Sequence, residues 1–265
     1  RNSREYTVNA GREVILSAGS INTPQLLQLS GIGDAKFLQS KKVNVAVDLP
    51  GVGYNLHDHL SSNVQWSPKN ASEIPPQDIT GNPEQDSFIN SAVAYVPGPG
   101  IMKDQWNSYI DSVKNNQTNA VNAYDAPDPV KSGYNLTYST VLNLLQKNVP
   151  AIEILFSLTF GNIQVQHAIQ HAFSRGSILI NTTDPFDYPL VDPRYLEQSS
   201  DMDMLRAALG VSRSIGATQP LNGHLDQESK PGSNVTQDAD IDNYIRSIAG
   251  TEYHPCGTAA ERPQE

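Results

Sequence analysis

Residues 13–18 read Glu-Val-Ile-Leu-Ser-Ala, and Gly19-Ser20 and Thr23-Pro24 follow at once. A short apolar run between Gly11 and Gly19 suits a strand buried on both faces of a parallel sheet. Gly19-Ser20 then turns the chain. Thr23 is placed to cap a helix with Pro24 at its first position. Leu26, Leu27 and Leu29 supply an apolar face, and Ser30-Gly31 ends the helix. The order strand, tight turn, helix is the most restrictive pattern in the chain. Downstream, Asp34 is placed to cap a short helix through Phe37 and Leu38. Val43, Val45, Val47 and Leu49 then alternate as a half-buried strand does, until Pro50-Gly51 stops it.

From Ser61 to Ser132 the sequence turns to Asn, Gln, Ser, Pro and Gly, and reads as an elaborated loop-rich region. Helical patches are expected near Lys103 to Lys114 and Ser139 to Lys147. Ala151 to Phe160, Ile163 to Phe173 and Ser177 to Ile180 read as successive strands, the last reached through an Arg175-Gly176 turn, which predicts an antiparallel sheet. Ser199 or Ser200 is placed to cap a helix with Asp201 and Asp203 in its first turn and Met202, Leu205 and Leu209 on one face. A last helix from Asp238 carries Ile241, Tyr244, Ile245 and Ile248 at helical spacing. Gly250 ends it, and the chain passes to Thr251-Glu252-Tyr253-His254. No internal repeat is visible.

Composition narrows the partners. A formal net charge of −10 disfavours phosphate backbones and anionic membrane surfaces, so neither nucleic acid nor a membrane is expected as a partner. The longest apolar stretch, Val149 to Phe160, is broken by Pro150 and Glu153 and falls short of the roughly 20 residues that span a bilayer. The single cysteine, Cys256, rules out an intrachain disulfide and a multi-cysteine metal site. Asn70, Asn116, Asn135, Asn181 and Asn234 each begin an N-glycosylation triplet, the pattern of a secreted glycoprotein. The chain opens at Arg1 without methionine or a signal-peptide pattern and reads as cut at its front.

The histidines offer candidate metal ligands. His57-Asp58-His59 has no further His or Cys nearby in sequence and makes an incomplete metal site. His167 and His171 stand four apart, but Ile163, Val165, Ile169 and Phe173 share their parity, which favours a strand face. No metal is expected. His254 follows a helix end and is held by Pro255, and an imidazole so placed can accept and return a proton near neutrality.

Four stretches carry a family resemblance. Gly19 through Gly33 resembles the second signature of the glucose-methanol-choline (GMC) oxidoreductases. Leu49 through His59 resembles the loop after it. Ser174-Arg175-Gly176-Ser177, with Asp184-Pro185 and Asp192-Pro193-Arg194-Tyr195-Leu196, resembles the opening of the substrate domain. His254-Pro255-Cys256-Gly257-Thr258-Ala259-Ala260 resembles the active-site histidine motif.

The resemblance implies an α+β architecture. Residues 1–60 would be the C-terminal part of an FAD-binding α/β domain, 61–250 a substrate domain with an antiparallel sheet backed by helices, and 251–265 an active-site segment returning to the flavin domain. It implies FAD as cofactor, near Ala18, Gly19, Ser20, Thr23 and Pro24, where a helix N-terminus favours the pyrophosphate. The implied substrate is a small alcohol or sugar, met by Tyr253. His254 would take the hydroxyl proton while hydride passes to the flavin. The family's Gly-x-Gly-x-x-Gly loop does not occur before Glu13, and Glu261 stands where the family has Met. The chain is therefore expected to be a fragment, inactive alone. A flavin-fold lyase or cyclase and a flavin-free remnant are the alternatives.

Overall fold

The computed structural model describes residues 6–71, 81–83, 91–159 and 161–260. Arg1, Glu261–Glu265, Phe160 and the parts of the expected loop-rich region at 72–80 and 84–90 lie outside the described residues.

Residues 13–18 form no regular element and pair with no strand among the described residues, and Val14 and Ile15 are 75% and 79% exposed. This corrects the expected buried strand. Apolar side chains give a run a reason to be covered, but the ladder needs N–H and C=O groups on a neighbour.

Helix α1 (Gly19–Leu29) starts at Gly19, whose positive φ of 78° lets the chain turn straight into it. Thr23 is therefore inside the helix and does not cap it; its hydroxyl instead accepts the Ala18 N–H at 3.1 Å. Pro24 is likewise interior and buried. Having no N–H, it leaves the Ser20 carbonyl without its usual donor four residues on. Ser30 and Gly31 end the helix as expected, and the Asp34 carboxylate caps α2 (Ala35–Ser40) through the Phe37 N–H at 2.7 Å. The strand expected over Val43–Leu49 shrinks to β2 (Val47–Asp48), parallel to β1 (Ile32–Gly33), and the flanking Ala46 and Leu49 N–H groups bond the Gly31 and Gly33 carbonyls.

The loop-rich expectation for 61–132 is overturned by long regular elements. β3 (Tyr54–Leu56) leads to β4 (Leu60–Pro68). After β5 (Ser91–Pro97) and the single turn α3 (Gly98–Met102) come helices α4 (Trp106–Ala123) and α5 (Asp128–Gln146). Polar composition misled because these helices bury only narrow stripes: Tyr109, Ile110 and Val113 on one, Tyr134, Tyr138, Val141, Leu142 and Leu145 on the other.

The expected antiparallel strands form: β6 (Pro150–Thr159), β7 (Asn162–Ile169) and β8 (Gly176–Leu179), followed by β9 (Leu190–Asp192). Helix α6 (Ser199–Gly216) precedes β10 (Leu225–Lys230), and helix α7 (Asp238–Ile248) leads into β11 (Gly250–Thr251). Neither Ser199 nor Ser200 caps α6; Gln198 occupies that position. Asp201 instead turns inward, and its buried carboxylate accepts the N–H groups of Phe173 and Ser174, both at 2.8 Å.

The main sheet runs β10-β4-β7-β6-β5, with β11 also on β4, all antiparallel. β8 leaves this sheet to join β3 and β9 in a smaller one. Strand alternation divides the main sheet's faces. Val64, Trp66, Ile152, Ile154, Ile163 and Val165 enter the core with α6. The buried Ser61 and the half-buried Asn63, Gln65, Gln164, Gln166 and Glu153 take the opposite parity and form a polar face that is partly open. His167 lies on the core side, between the Ser62 and Ser212 hydroxyls at 2.6 and 2.9 Å, as its parity predicted.

Candidate active site

Segments 53–60 and 250–258, nearly two hundred positions apart, run antiparallel at one edge of the polar face. β11 pairs with the start of β4, the Glu252 N–H bonds the His59 carbonyl at 3.1 Å, and His57 and Cys256 exchange backbone bonds at 3.1 and 2.9 Å. The Gly53 N–H closes the pairing on the Thr258 carbonyl at 2.8 Å. Only glycine fits at 257: its φ is 95°, and a Cβ there would collide with the Asn55 carbonyl and the His57 ring.

Asp58 ties the segments together. Its buried carboxylate accepts the Tyr195 hydroxyl at 2.8 Å, the Thr251 hydroxyl, and the His254 backbone N–H at 3.1 Å. The catalytic candidate is therefore placed by its own backbone, and its ring is left exposed.

The donors and acceptors around that ring assign its proton. The Gln170 amide nitrogen donates to the Glu153 carboxylate at 3.2 Å, which orients the amide, and also reaches the His59 Nδ1 at 3.4 Å. His59 Nδ1 thus carries a lone pair. His254 Nδ1 lies 3.3 Å from that same atom and must be the donor, so His254 Nε2 keeps the basic lone pair. Burial and the neighbouring His254 lower the His59 pKa, which keeps His59 neutral as an acceptor. Beside them, burial and then the nearby Glu153 raise the Glu252 pKa to about 7, while Gln166 donates to its carboxylate at 2.7 Å.

His57 plays a different part. Its Nδ1 donates to the Asn55 carbonyl at 3.0 Å, leaving Nε2 to accept the Cys256 thiol at 3.2 Å. Burial, and then the Arg175 guanidinium, push the His57 pKa down to about 4.

The helix that begins at Gly19 is joined to this edge directly. The Thr258 hydroxyl, 1% exposed, donates at 2.6 Å to the Ser20 carbonyl that Pro24 leaves free. Ala18, Gly19, Ser20, Thr23 and Pro24 are thereby placed next to the His254 segment. Among the described residues no side chain caps the α1 N-terminus, and a Cβ built on Gly19 meets nothing within 4 Å. Tyr253, expected at the substrate, is 87% exposed with a φ of 64°, and its backbone N–H donates to the Thr251 hydroxyl at 2.7 Å.

Sequence reasoning missed Glu153, Gln170 and Glu252, and it set His59 aside as part of an incomplete metal site. The available signal was the placing of Gln164 and Gln166 at alternate positions of one expected strand and of Glu153 in the other, which marks a polar face.

Two family models match the chain, both described as GMC oxidoreductase: the N-terminal one over residues 1–61 and the C-terminal one over residues 172–260. A GMC oxidoreductase family protein, Mala s 12, of Malassezia sympodialis is 39% identical over 99% of this chain and 43% of its own length. Choline oxidase of Arthrobacter globiformis is 31% identical over 96% of this chain and 39% of its own. The chain thus spans under half the length of these curated relatives. An FAD-dependent oxidoreductase from Chaetomium thermophilum superposes with a TM-score of 0.88 at 24% identity, over 99% of this chain and 48% of that one, which shows the shared fold. The paired N- and C-terminal family models, which together match more than half of this chain, show that it belongs to the GMC oxidoreductase family.

Proposed function

We propose that the chain supplies the catalytic histidine and most of the substrate sheet of an FAD-dependent oxidoreductase acting on the CH–OH group of a small alcohol or sugar. One observation carries this reading: His254, held by Asp58 and given a basic Nε2 by His59, stands at the edge of a partly open polar sheet face and is tied through Thr258 to the N-terminus of α1. The residues present fit a dinucleotide there, since an uncapped helix N-terminus opens beside a glycine with space above it. Ala18, Gly19 and Ser20 would hold its phosphates, with Thr23 and Pro24 shaping the turn. When bound, the flavin supplies the hydride acceptor.

The chain's own residues do the rest. The polar face with Gln166, Glu153 and Glu252 receives a hydroxylated molecule, with Tyr253 at its rim. His254 Nε2 accepts the hydroxyl proton while the donated Nδ1–H to His59 steadies the imidazolium that results. Residues 1–60 belong in this reading to the flavin domain, 61–250 to the substrate domain and 251–265 to the segment returning to the flavin. The N-glycosylation triplets support a secreted protein in this reading. These 265 residues alone are expected not to turn over alcohol, because no Gly-x-Gly-x-x-Gly loop occurs in them.

The test is His254→Ala in a chain of the relatives' full length. Flavin content should hold, and both kcat and single-turnover flavin reduction by alcohols should fall on the order of 10²–10⁴-fold, with partial recovery at high pH. Flavin reduction at the normal rate in the variant would overturn the assignment.

A further inference from the structure

We infer that His59, Glu252 and His254 form a binding site for a divalent transition-metal ion, with zinc the best match. Their ligand atoms lie within 4.8 Å of one another, although the residues come from the turn before β4 and the segment after β11. The two imidazole Nδ1 atoms are 3.3 Å apart. Two nitrogens bound tetrahedrally to zinc at about 2.0–2.1 Å are separated by about 3.3 Å, so the ring pair already has the edge length of a zinc site. Two imidazoles and a carboxylate make a borderline-soft donor set that suits zinc and leaves a fourth position open to water.

The surroundings favour a cation. Gln166 holds one Glu252 oxygen at 2.7 Å and Gln170 contacts His59, so groups outside the ligand set orient two of the ligands. Asp58 anchors the His254 backbone at 3.1 Å, and Glu153 lies within electrostatic reach of both Glu252 and His59. The ion takes the place of the proton between the two rings: His254 gives up its Nδ1 hydrogen, the His59 lone pair is already available, and Glu252 swings in to complete the set. Sequence spacing could not show this site, because His59 is separated from His254 by 195 positions. Zinc bound here immobilises His254 and makes the ion an inhibitor. That consequence rests on the proposed oxidoreductase reading, whereas the site itself does not.

The test titrates the 265-residue chain with CoCl2, whose d–d absorption reports geometry, and with ZnCl2 in competition. One cobalt per chain, with an intense tetrahedral spectrum displaced by one equivalent of zinc, is expected. His59→Gln and Glu252→Gln should each weaken binding at least about tenfold, while His224→Gln leaves it unchanged. A weak octahedral spectrum, no stoichiometric binding, or unchanged affinity in both variants would overturn the site. Should a variant unfold, the wild type still decides: His59 and His254 imidazole NMR resonances must shift with one equivalent of zinc, and resonances that stay put refute the assignment.

Discussion

Replacing Asp58 tests how the His254 segment is held, and two replacements separate acceptor loss from charge loss. One carboxylate oxygen accepts the Tyr195 and Thr251 hydroxyls, and the other accepts the His254 N–H. In Asp58→Asn the amide oxygen keeps the His254 N–H. The NH2 group takes the other place, and both hydroxyls can rotate to accept from it. Every group then stays bonded, but the charge assistance is gone. A bond to a charged group contributes about 1.5–3 kcal/mol and a neutral one about 1 kcal/mol, so the cost should be about 2–3 kcal/mol after discounting the exposed Thr251. Asp58→Ala leaves the Tyr195 hydroxyl and the His254 N–H without an acceptor, at about 1–3 kcal/mol each, and should cost about 3–5 kcal/mol. That is a large share of the about 5–15 kcal/mol stability of a typical domain. Urea unfolding at neutral pH reads both variants, with a constant m-value showing that the same transition is compared. Amide hydrogen exchange at His254 should accelerate more in Asp58→Ala. If Asp58→Ala costs less than about 1 kcal/mol, the carboxylate does not hold the segments together. If the two variants cost the same, the hydroxyl reversal is wrong.

The remaining predictions concern other joints of the same architecture. Thr258→Val should cost about 1 kcal/mol by orphaning the Ser20 carbonyl, and less in a Pro24→Ala background, where residue 24 regains the N–H that satisfies it; additive costs in a double-mutant cycle would refute the link. His167, fully buried, has its pKa lowered to about 3 by burial. Its contribution is fully present above the ordinary value near 6.5 and is lost as pH falls toward 3, by at most about 5 kcal/mol. His167→Gln should therefore flatten the acid limb of stability measured against pH, and an unchanged limb would count against a neutral buried ring. Gly53→Ala should destabilise by more than about 1 kcal/mol in thermal melts, because φ is 88° and the new Cβ meets the Gln28 amide and the Ile178 carbonyl. A neutral melt would refute that packing.

The sequence by itself determined the elements whose signal is local. Asp34 before α2, Ser30-Gly31 after α1, and the helical spacing of Ile241 and Ile245 in α7 need only their neighbours in the chain, because capping and apolar periodicity act within a few residues. The alternating parity of β7 likewise placed His167 in the core. His254 was legible as a residue type in a motif. Tertiary structure decided everything that depends on a distant partner. Residues 13–18 have strand-like side chains but no strand beside them among the described residues, and Thr23-Pro24 carries a start signal that Gly19 pre-empts. Pro24 acquires its role only because Thr258 arrives to bond the Ser20 carbonyl. The proton on His254 is assigned through His59 and Gln170 from Glu153, and Asp58 holds its backbone. Those contacts join positions far apart in the chain, and donor and acceptor roles follow from geometry that residue order alone does not contain.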